Sequence, residues 1–235
     1  LIQFHDYLET YPFELDMERI MQELEELLFY VKQRVFYRYY DEYKEIFNIA
    51  RIEEADFQHQ IYRYTNELIN FIFHDLTQEI RATIIRMEYF IQKHWSHIQS
   101  TMTSHLPHPL KEEFVTLKIE EFPKFDIHSE APINSGDLPF LNQFKSYKEF
   151  FAGEQTKLFK EQLEEALRPY GSEFVEGYHK IMAEHYKLFL LREWEHLRSE
   201  YLNTAQYVMT ANEQDLPPQQ EEQMKHVLKR LKMEI

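Results

Sequence analysis

The chain has 235 residues, of which 43% are hydrophobic and 16% are aromatic, and its formal net charge is −15. A chain of this length can bury a sizeable core as one domain or two. The negative charge repels phosphate backbones and disfavours nucleic acid as a partner. The sequence has no cysteine, which excludes disulfides, thiolate zinc sites and cysteine nucleophiles. Its four glycines are too few for the turns of an all-β fold.

No stretch of about 18 apolar residues is present, so we predict no membrane-spanning helix. The first residues also lack the basic region of a signal peptide. We therefore expect a cytoplasmic location, with peripheral binding to the inner face of the cell membrane as a further option. Because the sequence begins with Leu1, we expect the chain to be a piece of a longer polypeptide.

Residues 1–105 contain no glycine and a single proline, and they predict two long helices of an elongated all-α bundle. Asp16 is the predicted N-cap of the first helix. Apolar residues then recur every three or four positions over 20–46 and again over 61–102. The pattern weakens over 48–56, where we expect a break. Helices this long are typical of bundles and coiled coils.

Residues 106–145 are rich in proline and predict the connection in the middle of the bundle. A short helix is predicted at Leu110–Glu121, and the rest has the composition of a loop that contains large apolar side chains. Either these side chains fold back on the bundle, or they form an exposed tip that contacts lipid or a partner. The candidate tip residues are Phe122, Phe125, Leu138 and Phe140.

Residues 146–216 predict the returning helices of the same bundle. Ser146–Glu149 has the S-x-x-E pattern of a capping box. The next helix is predicted to end at Pro169–Gly171, and Ser172 is the predicted cap of a last long helix.

Residues 217–235 predict a terminal amphipathic helix with a basic cluster. Cations near a helix C-terminus favour the helix dipole, and the same cations can contact an anion. The candidate anion-contact residues are Lys225, Lys229, Arg230 and Lys232.

Two Glu-x-x-His pairs have the spacing of metal ligands in di-iron helical bundles. Glu176 with His179 and Glu193 with His196 lie on one predicted helix, about 25 Å apart at the helical rise. They therefore cannot meet at one metal centre within a single chain, and we predict no metal site. A second group of histidines has helical spacing but lacks an evident third ligand: His94, His97, His105 and His108.

Neither of the two familiar glycine-rich phosphate loops, G-x-x-x-x-G-K-S/T and G-x-G-x-x-G, occurs in the sequence. The serines in helical patterns also lack the glycine-rich elbow of a serine nucleophile. We therefore predict no catalytic residue and no cofactor-binding residue in this chain.

Three stretches carry a family resemblance: Leu8–Asp16 (LETYPFELD), Leu28–Phe36 (LFYVKQRVF) and Phe144–Phe151 (FKSYKEFF). They resemble the helical neck and trunk region of Gram-positive bacterial dynamin-like GTPases. The third resembles that family's FKSPK-x-FF element, although Tyr147 stands in place of its proline.

The resemblance implies a GTPase domain elsewhere in the same polypeptide, which would bind GTP and magnesium. It also implies self-association through long helices and lipid contact during membrane remodelling or fusion. No catalytic residue of the family falls within this chain. The alternatives are a stand-alone helical scaffold or dimerisation module without a nucleotide partner, and a metal-dependent helical enzyme that uses the Glu-x-x-His pairs.

Overall fold

A computed structural model of the chain describes residues 1–49, 56–152, 155–211, 222–223, 225–227 and 229–230, the side chains of residues 35–49 and 152 excepted. These residues form helices and no strand, which confirms the all-α prediction for the described part of the chain. The helices are α1 Ile2–Thr10, α2 Phe13–Ile49, α3 Phe57–Thr103, α4 His108–Lys111, α5 Tyr147–Ala152 and α6 Gln155–Ala211. Two 3₁₀ turns, Ser135–Asp137 and Pro139–Gln143, precede α5.

The three long helices α2, α3 and α6 contain 37, 47 and 57 residues. Each buries an apolar stripe at helical spacing. On α2, the described part of that stripe is Ile20, Leu24, Leu28 and Val31, each at most 2% exposed. Because isolated helices are only marginally stable in water, this buried stripe contributes more to helix stability than local propensity does.

α2 begins at Phe13, so the predicted N-cap at Asp16 was wrong. Asp16 instead lies in the first helical turn, where a negative charge is favourable to the helix dipole. The start is set by Pro12, because the residue before a proline avoids the helical conformation. Tyr11 accordingly adopts an extended backbone with φ −60° and ψ 124°, and α1 ends at Thr10.

The predicted helix end at Pro169–Gly171 and the predicted cap at Ser172 were also wrong, because α6 continues through all of these positions. A proline inside a helix removes one hydrogen bond and costs about 3 kcal/mol. Leu163 and Leu167 before it and Val175 after it are fully buried, at 0% exposure. Burial of such side chains stabilises by about 1.5–3 kcal/mol each, which outweighs the cost of the proline.

The predicted helix at Leu110–Glu121 was wrong as well, since α4 contains only four residues and ends at Lys111. The chain from 115 to 134 has no regular secondary structure, and we call this segment the strap. The serine contact of the predicted capping box is confirmed, because the Ser146 hydroxyl accepts a hydrogen bond from the backbone N–H of Glu149 at 3.4 Å.

The chain divides into two compact units, each with its own core. The first unit comprises residues 1–21, 88–123 and 184–235, and the second comprises 22–87 and 124–183. In the first unit, the Phe13 ring stacks on Trp194 with centroids 4.9 Å apart and meets Trp95 edge-on at 6.0 Å. In the second, a cluster of four aromatic rings lies within contact distance, a geometry that favours edge-to-face packing: Phe57, Phe144, Phe150 and Phe159.

Candidate functional site

The strap is bonded to α3 through side chains that recognise its backbone. In the first unit, the Gln99 amide donates to the Leu117 carbonyl at 2.7 Å and accepts from the Leu117 N–H at 2.7 Å. The Tyr201 hydroxyl donates to the same Gln99 oxygen at 3.1 Å. Gln99 is only 1% exposed, so these bonds replace water that the buried amide cannot reach. Burial also raises the pKa of Tyr201 to about 12.

Gln92 repeats this arrangement two helical turns earlier on α3. Its amide donates to the Ile119 carbonyl at 2.5 Å and accepts from the Ile119 N–H at 3.3 Å. Residues seven apart lie on one helix face, which brings both glutamines to the same side of α3. The two glutamines satisfy both backbone groups of two strap residues. We call these paired contacts the amide clamp.

In the second unit, the strap is bonded by different side chains. Arg81 donates to the Ile127 carbonyl at 2.9 Å, and the buried Thr77 hydroxyl lies 3.3 Å from the His128 carbonyl. The N–H of His128 donates to the Tyr178 hydroxyl at 2.9 Å. Immediately after the strap, Asn66 accepts a hydrogen bond from the Ser135 N–H at 2.6 Å. The backbone of the strap is therefore fixed to α3 within this unit also.

The candidate tip residues fold back onto the helices. Leu138 is 3% exposed, and Phe122, Phe125 and Phe140 are half-buried. The Phe122 ring lies 5.5 Å from Phe189 in the first unit, and Phe140 lies 6.2 Å from Phe159 in the second. Of the two arrangements that the sequence left open, the structure has the folded-back one.

The second unit also contains an open polar groove of about 720 Å³ beside the strap. Asn66, Asn70 and His74 form one wall, because residues four apart on α3 lie on one face. Residues 129–134 of the strap form the other wall. The lining offers amide, imidazole, hydroxyl and carboxylate groups, which suit a polar ligand better than an apolar one.

Asp16 links the start of α2 to α3 within the first unit. Its carboxylate lies 2.8 Å from the His94 imidazole. Burial, followed by a hydrogen bond to Asp16 and its charge, raises the pKa of Tyr11. The Asp16 contact therefore orients the His94 ring by a carboxylate of another helix. The His94 and His97 rings are 6.4 Å apart.

The first Glu-x-x-His pair serves as an ion-pair partner. Glu176 pairs with Lys32 of α2, and His179 lies 3.7 Å from its carboxylate. The hydrogen bond from Lys32 lowers the pKa of Glu176. In the second pair, Glu193 is half-buried and His196 is exposed.

The terminal basic cluster is only partly described. Arg230 donates to Glu9 of α1 at 3.3 Å and lies 3.9 Å from Asp6. Lys225 and Lys229 are exposed, and Lys232 lies outside the described residues. Arg230 is therefore engaged with carboxylates of its own chain.

Some large apolar side chains remain exposed on the long helices. In the first unit, Leu188 and Leu191 of α6 are 64% and 43% exposed and lie three residues apart, on one face of the helix. In the second unit, the neighbouring Phe29 and Tyr30 of α2 are 56% and 69% exposed. Pairs of this kind are more informative than single exposed apolar residues.

Sequence reasoning missed the amide clamp, although a signal for it existed. Gln99 interrupts the buried stripe of α3, between Trp95 and Met102, which are 2% and 1% exposed. A polar residue on a buried face requires a hydrogen-bond partner. The pattern shows that need, but the identity of the partner depends on the tertiary fold.

No helix in the described part of the chain is long and apolar enough to cross a membrane. Comparisons of the chain with protein-family models, curated proteins and solved structures found no match. The class that the structure defines is an all-α protein of long helices with a side-chain-bonded strap.

Proposed function

We propose that the chain is the helical stalk and assembly module of a dynamin-like protein that remodels or fuses membranes. In this proposal the helices form an elongated bundle, and the proline-rich connection is part of its framework. A GTPase domain elsewhere in the polypeptide binds GTP and magnesium, and the stalk couples that domain to self-assembly and lipid contact.

The observation that supports a mechanical role is the amide clamp. A connection of this length in solution samples many conformations, and ordering each backbone residue costs about 1–2 kcal/mol. Gln99 and Gln92 offset that cost by bonding both backbone groups of Leu117 and Ile119. A part that transmits force benefits from such stiffness, because motion at one end is not absorbed by a loose connection.

Leu188 and Leu191 support self-association as the mode of assembly. Their exposed apolar faces lose contact with water when they pack against a second copy. The net charge of −15 opposes that contact, and dissolved salt screens the repulsion. We therefore expect self-association to strengthen as salt concentration rises, whereas association driven by opposite charges would weaken.

Sedimentation velocity over a range of protein and salt concentrations tests the assembly role. The double variant Leu188→Ser, Leu191→Ser is expected to shift the chain towards monomer. Leu15→Ser is the matched control, because Leu15 is also 64% exposed but lacks a described exposed apolar neighbour on its face. A chain that stays monomeric at all concentrations and salt levels would contradict self-association of this module.

The membrane role is tested in the full-length polypeptide by lipid mixing between labelled vesicles in the presence of GTP. Gln92→Met, which removes one pair of clamp contacts and leaves Gln99 in place, is expected to preserve GTP hydrolysis and reduce lipid mixing, because it loosens the stalk and leaves the GTPase domain unchanged. Equal lipid mixing by the unmodified polypeptide and the variant would refute the coupling role of the clamp. A full-length polypeptide without GTPase activity would instead favour the stand-alone scaffold.

A further inference from the structure

The imidazole of His5 is buried without a hydrogen-bond partner in the described part of the chain. Phe4, His5 and Leu8 form the buried face of α1, and His5 is 1% exposed. Neither of its ring nitrogens has a hydrogen-bond partner among the residues that the structure describes. Burying an unsatisfied polar group is costly, and native structures contain few such groups. A metal cation that the imidazole can coordinate would remove this cost.

Two carboxylates face the same ring nitrogen. His5 Nδ1 lies 3.5 Å from Asp6 Oδ1 and 3.8 Å from Glu9 Oε2. All three ligand atoms lie within 4.8 Å of one another. In a tetrahedral zinc site with bonds of about 2.0–2.2 Å, neighbouring ligand atoms are about 3.3–3.6 Å apart. The separations of His5 Nδ1 from the two carboxylate oxygens, 3.5 and 3.8 Å, therefore need little adjustment to surround one ion.

Arg230 already places positive charge at this point. Its guanidinium contacts Asp6 Oδ1 at 3.9 Å and Glu9 Oε2 at 3.3 Å, which are the same two oxygen atoms that face His5. The Arg230 side chain is 52% exposed, so moving it into solvent requires little rearrangement. A divalent cation can take its place and neutralise both carboxylates.

We propose that His5, Asp6 and Glu9 form a Zn²⁺ site, with water in the remaining coordination position. One imidazole and two carboxylates are ligands that zinc accepts. The i and i+4 spacing places His5 and Glu9 on one face of α1. Arg230 is the competing cation. This site does not depend on the proposed stalk function, and each of the two proposals is tested by its own experiment.

The test is titration of the whole chain with zinc chloride by isothermal calorimetry. The unmodified chain is expected to bind one Zn²⁺ at this site. His5→Gln and Glu9→Gln are each expected to weaken that binding by more than about tenfold, because each removes one ligand. Arg230→Gln is expected to tighten it several-fold, because the competing cation is gone.

The matched control is Glu176→Gln with His179→Gln. This pair also places an imidazole near a carboxylate, at 3.7 Å, but its glutamate is 56% exposed and bonded to Lys32. Loss of the Glu176–His179 pair is expected to leave the affinity for Zn²⁺ unchanged. Because His5→Gln changes a buried residue, circular dichroism checks its fold, and Glu9→Gln provides an independent variant nearer the surface.

Cobalt substitution provides a second readout. Co²⁺ bound by His5, Asp6 and Glu9 is expected to give the intense visible absorption of a tetrahedral site, and His5→Gln and Glu9→Gln are each expected to abolish it. Absence of saturable Zn²⁺ binding would overturn the proposal. Equal affinity in the unmodified chain, His5→Gln and Glu9→Gln would overturn it equally, since the zinc would then be held elsewhere.

Discussion

Replacing Gln99 by methionine tests whether the amide clamp stabilises the fold. Methionine has a similar length and volume, so the substitution removes the hydrogen bonds while creating little cavity. Three groups outside α3 then lose a partner: the N–H and the carbonyl of Leu117, and the Tyr201 hydroxyl.

The expected loss of stability follows from these three groups. A lost hydrogen bond costs about 1 kcal/mol net, and a buried group left unsatisfied costs about 1–3 kcal/mol. Leu117 is half-buried, so water can reach part of its backbone, whereas Tyr201 is 2% exposed. We therefore expect Gln99→Met to lower the free energy of unfolding by about 3–4 kcal/mol, a large share of the stability of a typical domain.

The assay is urea unfolding followed by circular dichroism, and two other glutamines serve as comparisons. Gln92→Met removes the same pair of contacts from a half-buried position, and we expect a loss of about 1–2 kcal/mol. Gln22→Met removes one surface contact with Glu26, and we expect a change within about 0.5 kcal/mol. If Gln99→Met and Gln22→Met unfold at the same urea concentration with the same slope, the clamp does not stabilise the fold.

Three further predictions concern pH and packing. The pKa of Tyr201 rises from 10.0 in the unfolded chain to about 12 in the folded chain. Its contribution to stability is therefore complete below pH 10 and falls as pH rises towards 12. Urea unfolding on both sides of pH 10 should show that Tyr201→Phe loses less stability at alkaline pH than the unmodified chain does. Lys32 lowers the pKa of Glu176 below 4.5. The Glu176–Lys32 ion pair therefore contributes to stability above this pH, and its contribution is lost in acid. Glu176→Gln should therefore cost at most about 0.5 kcal/mol at neutral pH and nothing near pH 2, by the same assay. Leu138→Ala should lower the free energy of unfolding by about 2–4 kcal/mol. Val115→Ala, at a position 71% exposed on the strap, should change it by no more than about 0.5 kcal/mol. Equal losses of stability in the two variants would contradict the folded-back arrangement.

Local sequence rules succeeded where one helix face is buried along the described part of its length. Apolar residues at helical spacing predicted α2 and α3, and most of those whose side chains the structure describes are buried, whereas Leu27, Tyr64 and Ile84 are half-buried. The S-x-x-E pattern predicted the start of α5, because the cap involves residues only three apart. In these cases the residues that interact are close in sequence, so the pattern contains the physical cause.

The same rules failed where a distant contact outweighed a local preference. Pro169 disfavours a helix, but the buried side chains on both sides of it keep α6 continuous. Leu110–Glu121 has a helical pattern, but the backbone groups of Leu117 and Ile119 bond to the side chains of Gln99 and Gln92 on α3 instead of to a helix of their own. Neither outcome is visible in a window of neighbouring residues.

The sequence by itself therefore determined the all-α class, the long helices and the absence of the familiar glycine-rich phosphate loops. The tertiary structure decided that the strap follows α3, that Leu138 is buried, and that His5, Asp6, Glu9 and Arg230 meet. The physical reason is that helical periodicity shows which face is buried, whereas the partner that covers this face is set by packing between residues far apart in the chain.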